Sequence, residues 1–191
     1  LVSEAHRRNI RIIMDLVLAH TSDQHPWFKQ ARLGRTNPFH DYYIWADPKP
    51  GKRVPNNWQS IMGGKYWQYE PVCQQFFGHM FYPQQPDLNW HNPAVQDETC
   101  KIFLYWLERG VDGFRLDAIK YLVEEGANMQ NTDSTHAVLQ HLRTVYKSAN
   151  PNAMTIGEVA GDNALILASY TTGDQLDLTF EFSMASAIVD S

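Results

Sequence analysis

"NPAVQDETCKIFLYWLERGVDGFRLDA", residues 92–118, sets a helix directly against a strand. Pro93 stands near the start of an apolar-periodic run and Gly110 just past its end, the residue types that open and close a helix. "GVDGFRLDA" (110–118) then reads as a short strand buried on both faces. Three further runs read alike: "RIIMDLVL" (11–18), "AMTIGEV" (153–159) and "LDLTFEF" (176–182). A helical segment precedes each of them. "LVSEAHRRN" comes before the first, "STHAVLQHLRTVYKSAN", opening on Ser134, before the third, and "DNALILASY" before the fourth. This alternation predicts an α/β fold around a parallel sheet, either a barrel or a doubly wound sheet.

Residues 21–92 break the rhythm. They are rich in Pro, Gly, Asn, Gln and aromatics, and they far exceed the usual connection of roughly 2–6 residues between strand and helix. The stretch is expected to form an inserted subdomain, irregular and partly β, with 1–20 and 93–191 making the βα part. Both ends fall inside periodic stretches, so the chain reads as a piece of a longer protein.

With 191 residues, 43% of them hydrophobic and 19% charged, the chain can bury one sizeable core. A net charge of −5 gives no electrostatic reason to expect nucleic acid or an anionic membrane as partner. No apolar run approaches the ~20 residues of a membrane span. The aromatic content of 13% suits either a large core or a surface on which sugar rings stack. Cys73 and Cys100 lie in no zinc-like or redox pattern and are expected to be free thiols.

Charge inside the strands is the feature that points to chemistry. Side chains alternate along a strand, so Arg115 and Asp117 share one face, with Asp117 at the C-terminal end. The cation favours an ionised carboxylate, as a nucleophile requires, although a purely structural ion pair would look the same. Glu158 ends a second strand on the face of Met154 and Ile156. Asp15 sits in the first strand, closely followed by His20. In a βα barrel that edge of the sheet carries the active site. Two carboxyls in different environments are what glycoside hydrolysis needs, Asp117 attacking the anomeric carbon and Glu158 protonating the leaving oxygen.

Four short motifs occur in order: "DLVLAH" (15–20), "QPDLN" (85–89), "GFRLDAIKY" (113–121) and "GEV" (157–159). With "HTSDQHPWF" and "PNNWQSIMGG" they make the chain resemble the α-amylase family of glycoside hydrolases, especially its α-glucosidase and oligo-1,6-glucosidase branch. The resemblance implies strands three to six of a (β/α)8 barrel, with the irregular subdomain inserted after strand three. It implies Asp117 as nucleophile, Arg115 as its orienting partner, Glu158 as general acid/base, His20 as a sugar contact and Asp15 as a support. Lys120 and Tyr121 fall where family members contact the next sugar, or else lie on the surface at a helix start. Asp87 and Asn89 are structural in this reading.

The implied substrate is an α-linked oligosaccharide cleaved with retention, and no cofactor is required. "QPDLN" and "PNNW" favour an exo-acting enzyme over an endo-acting α-amylase, and a trehalose-forming isomerase uses the same scaffold. A non-catalytic transporter ectodomain would often have lost the carboxylates present here. A doubly wound binding protein would want a Gly-rich phosphate loop, which "LAHTSDQHPW" does not supply. Ala19 replaces the Asn that helps bind calcium in many α-amylases, and its methyl group cannot ligate a hard cation. The family's third carboxylate, in an Asn-His-Asp motif, has no counterpart in the sequence. An isolated part of a barrel exposes strand edges and core, so the 191-residue chain alone is expected to aggregate and to be inactive. A soluble monomer that cleaves maltose would overturn this.

Overall fold

The computed structural model describes residues 1–161 and 163–189. In chain order its elements are α1 (Val2–Arg7), β1 (Ile13–Val17), α2 (Pro26–Ala31), β2 (Trp45–Ala46), β3 (Trp67–Glu70), β4 (Gln75–Gly78), α3 (Pro93–Glu108), β5 (Gly113–Asp117), α4 (Asp133–Ala149), β6 (Met154–Gly157), α5 (Ala164–Ser169), β7 (Leu178–Thr179) and α6 (Phe182–Val189). They fall into two units. One comprises Leu1–Leu18 together with the chain from Gln96 onward, and the other is Ala19–Val95.

The first unit is built on a parallel sheet of order β1-β5-β6-β7, the arrangement of successive strands in a βα-repeat fold. Register places Asp15 beside Arg115, Val17 beside Asp117 and Leu116 beside Gly157. Two glycines make this possible. Gly110, at φ +86°, ends α3 in the left-handed region. A Cβ on Gly113 would lie 2.1 Å from the Met154 carbonyl oxygen, so only glycine lets β5 approach β6 there. Phe103 of α3 packs edge-on against Phe114 of β5 at 4.7 Å and stacks on Tyr146 of α4 at 5.7 Å. The Tyr146 hydroxyl in turn bonds Thr155 Oγ1 of β6 at 2.9 Å. Both long helices thus bury aromatic rings against the sheet.

Three expectations need correction. Burial on both faces fails for β1, where Ile13, Asp15 and Val17, which alternation puts on one face of the strand, are exposed, so that face is left uncovered. The strand expected over 176–182 contracts to Leu178–Thr179, and α6 begins at Phe182. The late start of the strand is set by Asp177. Its carboxylate accepts the Thr155 N–H at 2.8 Å and pairs with Arg143 and Lys147 at 2.9 and 3.1 Å, so a side chain takes over what a backbone carbonyl would do in a longer strand. Finally, α4 opens on Thr132, not Ser134. The Thr132 hydroxyl accepts the Thr135 N–H at 3.1 Å, capping a helix whose first turn carries Asp133.

The second unit carries an antiparallel sheet of order β2-β4-β3. Phe28, Tyr43, Trp45 and Phe77 form its ring cluster, with centroids 5.0–5.9 Å apart. Tyr43, Tyr66, Trp90, Tyr146 and Tyr170 are fully buried, so much of the aromatic content serves the cores. Cys73 and Cys100 are free and half-buried.

Burial alone would raise the Asp177 pKa, but the Thr155 N–H and the two cations outweigh it and hold it below the ordinary carboxylate value. Its stabilising contribution is therefore present above the unfolded-state pKa and is lost as pH falls through the lowered folded value. Asp177→Ala should cost about 2–3 kcal/mol at pH 7 in chemical denaturation, with the deficit shrinking below about pH 4. A pH-independent deficit would contradict the assignment.

Candidate active site

Arg115 is the centre of the cluster at the C-terminal end of the sheet. Its Nη1 donates to Asp15 Oδ1 at 2.6 Å and contacts Asp117 Oδ1 at 2.5 Å. Its Nη2 donates to Glu158 Oε2. Three neighbouring strands supply these groups. Arg115 and Asp117 come from alternate positions of β5 and Asp15 from the matching position of β1. Glu158 follows β6, fixed by its own N–H bonding to the Leu116 carbonyl at 2.9 Å.

Sequence reasoning assigned the cation mainly to Asp117. The structure corrects this, because one guanidinium serves all three carboxylates. What distinguishes Glu158 is its surroundings. Burial raises its pKa, and the adjacent Asp117 carboxyl, close enough to hydrogen-bond it, raises it further. The charge of Arg115 and the Ala118 N–H pull in the other direction but do not cancel the rise. Burial also opposes the charge of Arg115, but Asp15, Asp117 and Glu158 more than offset it and keep the guanidinium firmly charged. The cluster thus holds a proton more readily at Glu158 than an ordinary glutamate would, with a fixed cation beside it.

Two contributors escaped the sequence reading. Ala118, directly after Asp117, adopts the left-handed conformation (φ 47°, ψ 37°), and its N–H reaches Glu158. The small residue at the strand exit was the available signal, since a β-branched side chain fits that conformation poorly. The second is the role of Lys120. It is not a surface residue: it is 6% exposed, and Nζ donates to the Ala160 carbonyl at 2.6 Å, tying the 3₁₀ turn Ile119–Tyr121 to the loop that carries Glu158. Tyr121 is half-buried, its ring 5.1 Å from the same ammonium.

His20 belongs to the second unit, not to the strand that precedes it. It is buried, its Nε2 accepts from Gln85 Nε2 at 2.8 Å, and its ring lies 5.2 Å from Phe81. Residues 20 and 87 form an antiparallel bridge, so "DLVLAH" and "QPDLN" meet there in space. Asp87 accepts the Met80 N–H at 2.8 Å, and Asn89 accepts the His91 N–H while donating to the Asp41 carbonyl.

The family model for the α-amylase catalytic domain matches residues 1–191. The chain belongs to the α-amylase family. It is 37% identical to an oligo-1,6-glucosidase of Heyndrickxia coagulans, over all of this chain and 37% of that enzyme. It is 40% identical to a trehalose synthase/amylase of Mycolicibacterium smegmatis, over 98% of this chain and 32% of that protein. Among solved structures, trehalose-6-phosphate hydrolase of Bacillus licheniformis superposes with a TM-score of 0.88 at 36% identity, over 95% of this chain and 35% of that one. This α-amylase family chain therefore spans about a third of the length of its relatives, and its parallel sheet is a run of adjacent strands of their barrel fold.

A raised carboxyl pKa means that ionised Glu158 works against folding. The penalty is absent below the unfolded-state pKa and complete above the raised folded value. Glu158→Gln should therefore stabilise the protein by on the order of 1 kcal/mol at pH 7, a gain that vanishes toward pH 4. Thermal melts of both forms across this range would check it, and a destabilised variant at pH 7 would contradict the charge balance described.

Proposed function

We propose that the whole protein is a retaining glycoside hydrolase acting on α-glucosidic bonds of short oligosaccharides, of the α-glucosidase or oligo-1,6-glucosidase type. The observation that carries this is the Asp117–Glu158 pair on Arg115, where burial and the neighbouring Asp117 carboxyl raise the Glu158 pKa. Family membership supports it.

In this reading the Asp117 carboxylate forms a bond to the anomeric carbon as the glycosidic C–O bond breaks, and the Glu158 proton passes to the departing oxygen. Glu158, now ionised, takes a proton from water, and the resulting hydroxide displaces Asp117 and releases the sugar. Arg115 orients Asp117, and Asp15 holds Arg115. His20 contacts the sugar at the cleaved bond. Lys120 sets the loop of Glu158, and Tyr121 flanks the neighbouring sugar.

The proposed partner is the α-linked oligosaccharide. The net charge of −5 gives no electrostatic reason to expect nucleic acid or an anionic membrane, and no helix among the described residues is long and apolar enough to cross a membrane. Calcium at position 19 has no part in it. Ala19 offers no side-chain oxygen, and its carbonyl accepts the Leu88 N–H at 2.9 Å.

A second reading, isomerisation of maltose to trehalose, is favoured by the relative named a trehalose synthase/amylase. The test is the whole protein assayed on maltose, isomaltose, starch and trehalose. Hydrolysis of maltose or isomaltose is expected, with kcat in Asp117→Asn reduced by at least about 10³-fold, a loss typical of removing a nucleophile. Chelation with EDTA should leave the rate within about twofold. Trehalose as the main product from maltose would favour the isomerase, and full activity in Asp117→Asn would remove the nucleophile assignment.

A further inference from the structure

The second unit holds a groove of about 440 Å³ whose residues have no part in the catalytic reading. Its walls are two turns, Lys49–Arg53 and Gln59–Lys65, each closed by an antiparallel bridge. Trp58 lies between them, flanked by Asn57 and Gln59. The indole is held from behind: it stacks on Trp67 at 5.9 Å and 12° and meets Tyr66 edge-on at 5.4 Å. Asn56 locks the arrangement, its carbonyl accepting both the Trp58 N–H at 3.1 Å and the Trp67 indole N–H at 2.7 Å.

Lys49, Arg53 and Lys65 all line this groove, and among the described residues no carboxylate does. The two arginines elsewhere in this unit are treated differently: Arg32 pairs with Glu70 and Arg35 with Asp47. Asp47, the acid nearest in sequence to Lys49, is therefore already committed to Arg35 and to Gln75. Arg53 donates its Nε to the Pro50 carbonyl at 3.0 Å, which leaves its terminal nitrogens for another partner. Three cations around a fixed aromatic ring repel one another unless an anion joins them. In a chain of net charge −5 such a spot is also the exception.

We propose that this groove is a binding site for a phosphorylated sugar. The ring would stack on Trp58, the hydroxyls would meet the Asn57 and Gln59 amides, and the phosphate would be held by Lys49, Arg53 and Lys65. A flat aromatic beside amides is what a sugar face requires, and three cations match a dianion better than a single carboxylate. The site is independent of the catalytic assignment, since it shares none of its residues.

Isothermal titration of the whole protein with glucose 6-phosphate, glucose and inorganic phosphate tests it. Glucose 6-phosphate should bind at least about tenfold more tightly than either of the others and weaken with added salt. Lys49→Gln/Lys65→Gln should lose that tenfold, and Trp58→Phe, which keeps a ring against Trp67, should lose part of it. Catalytic rates on neutral oligosaccharides should be unchanged in the double variant. Equal binding of glucose would overturn the role of the cations, and equal binding of inorganic phosphate would reduce the site to a bare cationic patch. No binding of glucose 6-phosphate at 10 mM, roughly the weakest affinity worth calling a site, would overturn the proposal outright.

Discussion

One guanidinium against three carboxylates is the constraint around which the first unit is organised. Asp15, Asp117 and Glu158 all touch Arg115, so the cluster carries more negative than positive formal charge in a partly buried place. Such an arrangement costs stability unless one acid gives up its charge. Glu158 is the member whose pKa burial and the neighbouring Asp117 carboxyl raise. The parallel register makes the cluster unavoidable, because Asp15 stands beside Arg115 and the β6 exit stands beside Leu116. Shifting either strand by one residue would turn these groups to the opposite face.

Much of this was legible in the sequence, because strand alternation is a strict geometric rule. It put Arg115 and Asp117 on one face, and the repeat of helix and strand put Glu158 and Asp15 at the same sheet edge. The distribution of Arg115 among its partners was not legible, since it depends on which strands neighbour which. The Ala118 conformation was likewise hidden. It is a backbone state, and the small size of alanine is a much weaker signal for it than glycine would be. The last strand was misjudged for a related reason. An apolar run predicts burial, but Asp177 shows that a side chain can replace backbone pairing and let a strand start late.

The second unit was the least readable part. Its irregular sequence forms short strands of two to four residues held by an aromatic cluster, and aromatic packing leaves no periodic trace. What could be seen was its departure from the βα rhythm and the wealth of rings. Those rings divide between two roles in the fold. Phe28, Tyr43 and Phe77 are buried in the core, while Trp58 is fixed at the edge of a groove.

The question raised by charges inside strands can now be decided by comparing acids within one unit. Asp112 lies on the opposite face of the chain segment from Arg115. It accepts the Ile12 N–H and bonds a His6 nitrogen, each at 2.7 Å, and these partners outweigh burial to lower its pKa. Asp177 does the same for Thr155. Each of these acids is stabilised as an anion by a backbone N–H of a strand or its approach, and each thereby fastens secondary structure. Glu158 also receives a backbone N–H, yet its pKa rises, because burial and a second carboxylate prevail. An acid placed to hold a fold is surrounded by donors. An acid placed beside another acid destabilises the fold, and the arrangement makes physical sense where a proton has to be given away.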